Sequence, residues 1–464
     1  MPLQDIETIV FVMLENRSFD HVLGYLSTAA ANPSLDVDGI RDDPAWLDAH
    51  ANSYAGERYA PHALGPGLQQ MDDPPHDHAA IAVQIGSPSR PGAPPPMDGF
   101  VASYMTRRPP PADPSVVMGH YTGAAVPVFD FFARNYAVCD HWFAALPTGT
   151  QANRLMAMSG SSGILDNASV FLPDQSLIYD WLTTHGVSWC AYQWGDFLPF
   201  FSLMPRWLPE ITTSLALSAL GGRGRFRRYA RLREHWSGSA PMPSVIFVEP
   251  EYTDGPHAAP NDDHPPTGVA SGQVFLADLY AILTSNPTRW RDTMMIVTYD
   301  ENGGFFDHVP PLRIGAKIGG FPIATTGVRV PAFVVSPQVA PGIPFTDPLD
   351  HTSFLQLVAD RFNPGQSYSA EVGARQAKLG RLSTVLTQRP GGPVAAPSLS
   401  SAATLGLIAM NAGHAPSRHA DPAGVTQTAQ AFDNAAAKMA NDHPELMVGA
   451  GWSKLASHVA TPKD

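Results

Sequence analysis

The chain lacks the features that define several protein classes. It has only two cysteines, Cys139 and Cys190, in 464 residues. Two thiols make no disulfide framework and leave the redox compartment undecided. No apolar run approaches the roughly 20 residues that span a bilayer. Charged residues are scarce at 15%, and the formal net charge is −13. That balance argues against a nucleic-acid-binding surface as the main function. No internal repeat is present. The Gly-x4-Gly-Lys-Ser/Thr loop, His-Glu-x-x-His and Gly-x-Ser-x-Gly are all missing; Gly160-Ser161-Ser162-Gly163 falls short of the last. The stretch from Met1 to Glu7 is acidic where a secretory signal is basic. A cytoplasmic chain is the expectation, or one whose export signal is not in this sequence.

What is present is an apolar background of 44% and a length beyond one minimal core. One large domain with insertions, or two domains, is expected. β-Branched and aromatic runs predict strands at Thr8 to Leu14, Val187 to Tyr192, Ser244 to Val248, Met294 to Tyr299 and Val328 to Val335. Helical spacing predicts helices over Val126 to Ala137, Gln273 to Leu283 and Thr352 to Phe362, and another opening after Thr148-Gly149. Strands alternating with helices indicate an α/β fold with a mostly parallel central sheet flanked by helices. Two loop-rich insertions interrupt it, about 32–114 and 194–243. The first is punctuated by Pro94-Pro95-Pro96 and Pro109-Pro110-Pro111 and is read as framing a pocket. The catalytic body is placed at 1–388, with a linker and helical tail over 389–464.

Polar clusters sit where strands end or helices begin. These are Glu15-Asn16, Thr150 to Arg154, Asn261-Asp262-Asp263-His264-Pro265-Pro266, Asp300-Glu301 and Asp350-His351-Thr352-Ser353. Singly, most have a bland reading: Ser18, Thr150 or Asp350 as helix caps, Asp262 and Asp263 as loop solvation. Asp300-Glu301 is different. Two adjacent acids directly after a buried strand repel unless a cation or shared proton neutralises them. Ligands bind outside the carboxyl ends of parallel strands. Oxygen ligands from several strand ends can hold one divalent cation, and its identity stays open among Ca, Mg, Mn, Zn and Fe. A threonine hydroxyl on that cation becomes a nucleophile, a helix start receives phosphoryl oxygens, and a histidine protonates the leaving oxygen.

Five stretches carry a resemblance. They are Glu15-Asn16-Arg17-Ser18-Phe19-Asp20-His21, Thr150-x-x-Asn153-Arg154, Glu249-Pro250 with Asp263-His264-Pro265-Pro266, Tyr299 to His308, and Asp350-His351-Thr352-Ser353. In that order the chain resembles the phosphoesterase family of bacterial phospholipases C and related acid phosphatases, within the alkaline phosphatase superfamily. The resemblance implies an alkaline phosphatase-like fold. It also implies Glu15, Asn16, Asp300 and Glu301 as metal ligands, with Thr150 as metal-bound nucleophile. His264 would face the leaving group or the phosphate, and His76 matches a second pocket histidine. Asn153 and the helix start would help bind phosphate. Ala152 stands where the family usually has proline, and the tail here differs from the β-rich C-terminal domains of its phospholipases C.

The implied activity is metal-dependent hydrolysis of phosphoesters through a phosphothreonine. A phospholipase C-like phosphodiesterase comes first and an acid phosphatase second; a non-catalytic binder of phospho-head-groups is the reading from another class. The substrate is a small phosphoester or phospholipid head group, and peripheral membrane contact is compatible. The aromatics Trp181, Trp189, Tyr192, Trp194, Phe197, Phe200 and Phe201 suit either a cage for a quaternary ammonium or ordinary core. The stretch Arg223 to Arg233 has two readings, a patch that attracts anionic head groups or membrane surfaces and, favoured, a solvated flank with Phe226, Tyr229 and Leu232 inward.

Overall fold

The computed structural model describes residues 3–65, 71–168, 171–195, 198–253, 260–318, 321–388 and 395–399. The tail expected to be helical from residue 420 onward lies outside the described residues, as does most of the linker before it.

A seven-stranded sheet forms the centre. Its strands are β1 (Thr8–Leu14), β2 (Ala137–Val138), β3 (Trp189–Gln193), β4 (Phe226–Arg228), β5 (Val245–Glu249), β6 (Thr293–Tyr299) and β7 (Ala332–Val335). Their spatial order is β2-β7-β6-β1-β5-β3-β4. β6, β1, β5, β3 and β4 pair parallel, while β7 runs antiparallel to both its neighbours. The fold is thus α/β with a mostly parallel sheet. β1 and β6 are buried along their whole length, as strands covered on both faces must be. That is why they read as unbroken apolar runs. Burying each of Ile9, Val12 and Leu14 contributes about 1.5–3 kcal/mol.

Helices cover the faces: α1 (Phe19–Leu23), α2 (His78–Ile85), α3 (Pro127–Asn135), α4 (Thr150–Ser159), α5 (Ile178–Thr184), α6 (Leu208–Ala219), α7 (Ala270–Thr284) and α8 (Thr352–Phe362). Phe129, Phe132 and Ala133 of α3 face inward as their spacing predicts. Phe354 of α8 stacks on Phe11 of β1 with ring centroids 4.0 Å apart. None of the described helices is long and apolar enough to cross a membrane.

Two expectations change. The stretch from 194 to 243 is not purely an excursion, because its Phe226–Arg228 forms the edge strand β4 beside β3. Three residues with two arginines carry too little apolar pattern to announce a strand. The strand expected from Val328 begins only at Ala332, although Val328 and Val330 are buried.

Candidate active site

Register places the acids. In the parallel pair β1–β6, Leu14 lies opposite Tyr299, so both chains leave the sheet side by side. The next residues are Glu15-Asn16 and Asp300-Glu301. Backbone bonds lock the exits: Asp300 N–H donates to Leu14 O at 3.1 Å, and Arg17 N–H to Glu301 O at 3.1 Å. Glu15 N–H donates to Asp262 O at 2.7 Å, which brings in the loop that carries His264. Asp262 and Asp263 are fully buried, so the solvation reading of this loop fails. Arg17, equally buried, ties the same loop down through Asp263 O at 2.9 Å and Thr267 O at 2.8 Å.

Thr150 is not the cap of α4. Gly149 is the N-cap, and Thr150 occupies the first turn. Its Oγ1 donates to Asn16 Oδ1 at 3.4 Å, and the hydroxyl beside Asp300 favours that residue's carboxylate form. Asn16 holds a left-handed backbone, φ 64°, rare for a side chain with a Cβ and concentrated at functional sites. Glu15, Asn16, Thr150, Asp300 and Glu301 therefore form one fully buried cluster.

A divalent cation fits this cluster. Asp300 Oδ2 and Glu301 Oε1 accept no hydrogen bond. Buried oxygens without a donor are unfavourable, and a cation supplies the missing charge. Burial pushes Asp300 above the usual carboxylate range against the pull of Arg154. Burial also pushes Glu301 up, against the pull of His76 and with the help of Asp300. Arg154 supplies part of the neutralisation, 3.2 Å from Glu15 and 3.5 Å from Asp300.

Beside the oxygen cluster stands a second group. Asp73, His76 and His264 bring ligand-type atoms within 4.8 Å of one another. The His76 and His264 rings meet edge to face at 5.6 Å. His76 Nε2 lies 3.2 Å from Asn16 Nδ2, and its Nδ1 lies 2.8 Å from Pro74 O. Its Nδ1 faces a carbonyl that can only accept, so Nδ1 carries a hydrogen. Burial opposes charge on this ring, yet Glu301, Asp73 and Asp300 together raise it to about 9. The bare acids thus favour the charged ring, and a cation that neutralised them would favour the neutral one. In His264, Nδ1 donates to Pro265 O, so Nε2 is the nitrogen whose proton can come and go.

Asp73 is a site residue that the sequence reading did not single out; its only signal is the Asp72-Asp73 pair before Pro74-Pro75-His76. Asn153 is placed differently from expectation. Its side chain bonds Leu146 N and the carbonyls of Leu146, Thr148 and Gly149. It closes the turn before α4. His351 is a positioning residue. The Trp142 indole, a donor only, points at His351 Nδ1 from 3.1 Å, so Nε2 carries the hydrogen and donates to Asp300 O at 2.6 Å. Burial pulls His351 down to about 4, which keeps it neutral. Asp350 is not the N-cap of α8, which is His351; it stands one residue before it, accepts from Thr352 N–H at 2.8 Å and pairs with Arg375.

Gly303 is required where it stands. It has φ 61°, and a Cβ there would lie 2.1 Å from Asn16 O. Gly303→Ala should displace Asn16 and weaken divalent-metal affinity about 10–100-fold in a metal titration. Wild-type affinity in that variant would remove Asn16 from the ligand set.

Asp20, Asp307 and His308 also cluster, but with an arginine in the cation position. Arg329 lies 2.9 Å from Asp307 and 3.1 Å from Asp20. His308 bridges Asp20 at 2.7 Å and Asp38 at 3.1 Å, with the His50 ring at 5.7 Å. Burial opposes its charge, yet Asp20 and Asp38 raise it to about 9. A folded pKa above the unfolded ~6.5 stabilises fully below pH ~6.5, and the gain is lost as pH rises through about 9. Unfolding free energy should fall by roughly 1–3 kcal/mol between about pH 6.5 and 9.5, and His308→Gln should flatten that slope. An unchanged slope in the variant would assign the titration elsewhere.

The aromatics do not gather into one cage. Tyr179 stacks on Trp189 at 4.4 Å, Phe200 lies under Arg154 at 4.7 Å, and Trp194 pairs with Tyr229 at 4.5 Å. Phe197 lies outside the described residues. Phe226, Tyr229 and Leu232 are buried, and Arg225, Arg231 and Arg233 pair with Glu210, Glu234 and Asp278.

The model of the Phosphoesterase family matches residues 6–364. Non-specific phospholipase C1 of Arabidopsis thaliana is 31% identical over 380 residues, covering 77% of this chain and 67% of that protein. Phospholipase C A of Mycobacterium tuberculosis is 30% identical over 408 residues, covering 78% of this chain and 73% of that protein. A solved alkaline phosphatase superfamily protein from Vibrio parahaemolyticus aligns over 57% of this chain and 64% of that one, with 11% identity and a TM-score of 0.31. The match over residues 6–364 includes every strand of the central sheet and all the acids at its carboxyl edge, and the chain belongs to the Phosphoesterase family.

Proposed function

We propose that the protein hydrolyses phosphodiesters of the phospholipid head-group class, with Thr150 as nucleophile. The observation that carries this is the buried Thr150 Oγ1 in the first turn of α4, 3.4 Å from Asn16 Oδ1 among the acids Glu15, Asp300 and Glu301. Glu15, Asn16, Asp300 and Glu301 would hold one divalent cation, which when bound would supply charge for a phosphoryl oxygen and acidity for the Thr150 hydroxyl. Thr150 Oγ gives its proton to solvent and bonds to phosphorus as the bond to the leaving oxygen breaks. His264, protonated at Nε2, gives its proton to that oxygen. The same nitrogen then takes a proton from water as the water oxygen bonds phosphorus; the bond from phosphorus to Thr150 Oγ breaks, and Thr150 takes up a proton from solvent. Asn153 holds the turn that aims Thr150, and His76 orients the Asn16 amide.

The buried arginines favour a diester over a monoester. A monoester brings an additional negative charge that needs an arginine, lysine or metal. Arg154 is already engaged with Glu15, Asp300 and Tyr252, and Arg17 with Asp263 O, Thr267 O and His21. The phospholipase C names of the relatives support the same substrate class.

Hydrolysis of para-nitrophenyl phosphorylcholine and para-nitrophenyl phosphate by one preparation, with and without EDTA, tests the reading. Diester cleavage lost on chelation and restored by a divalent cation is expected. Cleavage of the monoester alone would make the protein an acid phosphatase. Metal binding without turnover of either would favour a head-group-binding protein.

A further inference from the structure

The His264 loop carries a buried carboxyl that the chemistry above does not use. Asp263 is fully buried, and burial pushes its carboxyl up to about 8 against the pull of Tyr299 and Arg17. An apolar side chain would fill that space at less cost. The carboxyl ties together two segments of the site. Tyr299 Oη donates to Asp263 Oδ2 at 2.5 Å. Tyr299 is the last residue of β6 and precedes Asp300. Asp263 Oδ1 lies against Gly272 in the first turn of α7, where a Cβ would come within 2.1 Å of it.

The backbone at Asp263 is turned as well. Its φ of 73° lies in the left-handed region, which aspartate enters more readily than most residues with a Cβ. That turn separates two anchored groups. Before it, the Asp262 carbonyl accepts from Glu15 N–H at 2.7 Å. After it, His264 N–H donates to Asp262 Oδ1 at 3.2 Å, and His264 Nδ1 donates to Pro265 O. These last two bonds fix the ring within its own loop. The carbonyls of Asp262, Asp263 and Thr267 hang the loop on Glu15 and Arg17. The Asp263 carboxyl is the side-chain pin that sets the turn between those anchors.

We propose that Asp263 is a positioning residue for the leaving-group proton. Pinned by Tyr299 and seated against Gly272, it holds the left-handed turn that aims His264 Nε2 at the leaving oxygen. The inference rests on the diesterase reading above, in which His264 is the acid. Asp263 itself touches no substrate and moves no proton. Its loss should leave Thr150 in place and misaim the acid, and a misplacement of about 1 Å is worth on the order of 100-fold in rate.

The test compares para-nitrophenyl phosphorylcholine with phenyl phosphorylcholine. Nitrophenolate leaves readily without a proton and phenolate does not, so the phenyl ester depends more strongly on His264. Asp263→Gly removes the pin and permits the same φ. Tyr299→Phe removes one hydroxyl at the other end of the pin and decides alone should Asp263→Gly fail to fold. In each variant the loss of kcat/KM on the phenyl ester should exceed the loss on the nitrophenyl ester by about tenfold or more. His264→Ala should show the same selectivity, and adding Asp263→Gly to it should lower the phenyl rate by less than about twofold further. Asp263→Asn, which keeps an acceptor for Tyr299 and tolerates the turn, should recover most of the loss. Equal losses on the two esters, or losses that multiply with that of His264→Ala, would overturn the proposal. A wild type that cleaves neither diester would end the diesterase reading instead. The pin is then read from the His264 ring resonances of protein with isotope-labelled histidine: they should move in Tyr299→Phe, and unmoved resonances would overturn it.

Discussion

Thr150→Ala is expected to lower kcat by about 10³–10⁶-fold, with the fold intact. The size follows from the role. Removing Oγ deletes the atom that bonds phosphorus, and the nearby Thr148 hydroxyl is engaged with Leu165 O and Asp166. The residual rate would come from the oxygen cluster and the start of α4 acting on bound substrate with water as nucleophile. The fold should survive because Thr150 caps nothing; Gly149 does. Thr150→Ala should cost about 1–3 kcal/mol, the range for leaving a buried acceptor without its donor. Thr150→Ser keeps the oxygen and should recover much of the rate. Steady-state kinetics on para-nitrophenyl phosphorylcholine, with thermal melts of each variant, check this. Near-normal turnover in Thr150→Ala would end the nucleophile assignment.

Arg154→Met should destabilise the protein by about 3–5 kcal/mol, the range for breaking a buried ion pair from one side. Its guanidinium is buried between Glu15 and Asp300, donates to Tyr252 Oη at 3.0 Å and Met13 O at 3.2 Å, and lies over the Phe200 ring. Methionine keeps the packing volume but leaves carboxylates of one sign facing each other in a dry site. A divalent cation bound to the same acids should restore part of the loss, since it binds the folded state and not the unfolded one. Urea unfolding with EDTA and with added cation measures both quantities. A loss below about 1 kcal/mol without cation would mean that Glu15 and Asp300 are protonated and need no counter-charge.

The carboxyl edge of the sheet was legible because two signals coincide there. Met294 to Tyr299 must be apolar to sit inside a parallel sheet, and Asp300-Glu301 must be polar to do anything outside it. Thr8 to Leu14 followed by Glu15-Asn16 repeats the pattern, and the two strands are neighbours in register. Residues whose meaning depends on tertiary partners were not legible. Asn153 lies one helical turn from Thr150, which suits a phosphate ligand on paper, but the turn at Leu146 to Gly149 takes up its hydrogen bonds. Asp262 and Asp263 look like solvated loop until Glu15 N–H is seen to pair with the Asp262 carbonyl. The neutral tautomer of His351 depends on an indole more than two hundred residues away in sequence. The aromatics around Trp189 serve packing, because the edge strand β4 brings Phe226 against them, 5.7 Å from Trp189.

The central claim is a covalent bond from Thr150 to phosphorus, and the most direct measurement is to trap it. Enzyme mixed with para-nitrophenyl phosphorylcholine, quenched in acid within one turnover and digested, should yield the peptide containing Thr150 with phosphorylcholine added. That species should be absent from Thr150→Ala and from enzyme stripped of metal by EDTA. Full turnover in the same mixture, with that peptide unmodified at every quench time and Thr150→Ala still active, would contradict the account.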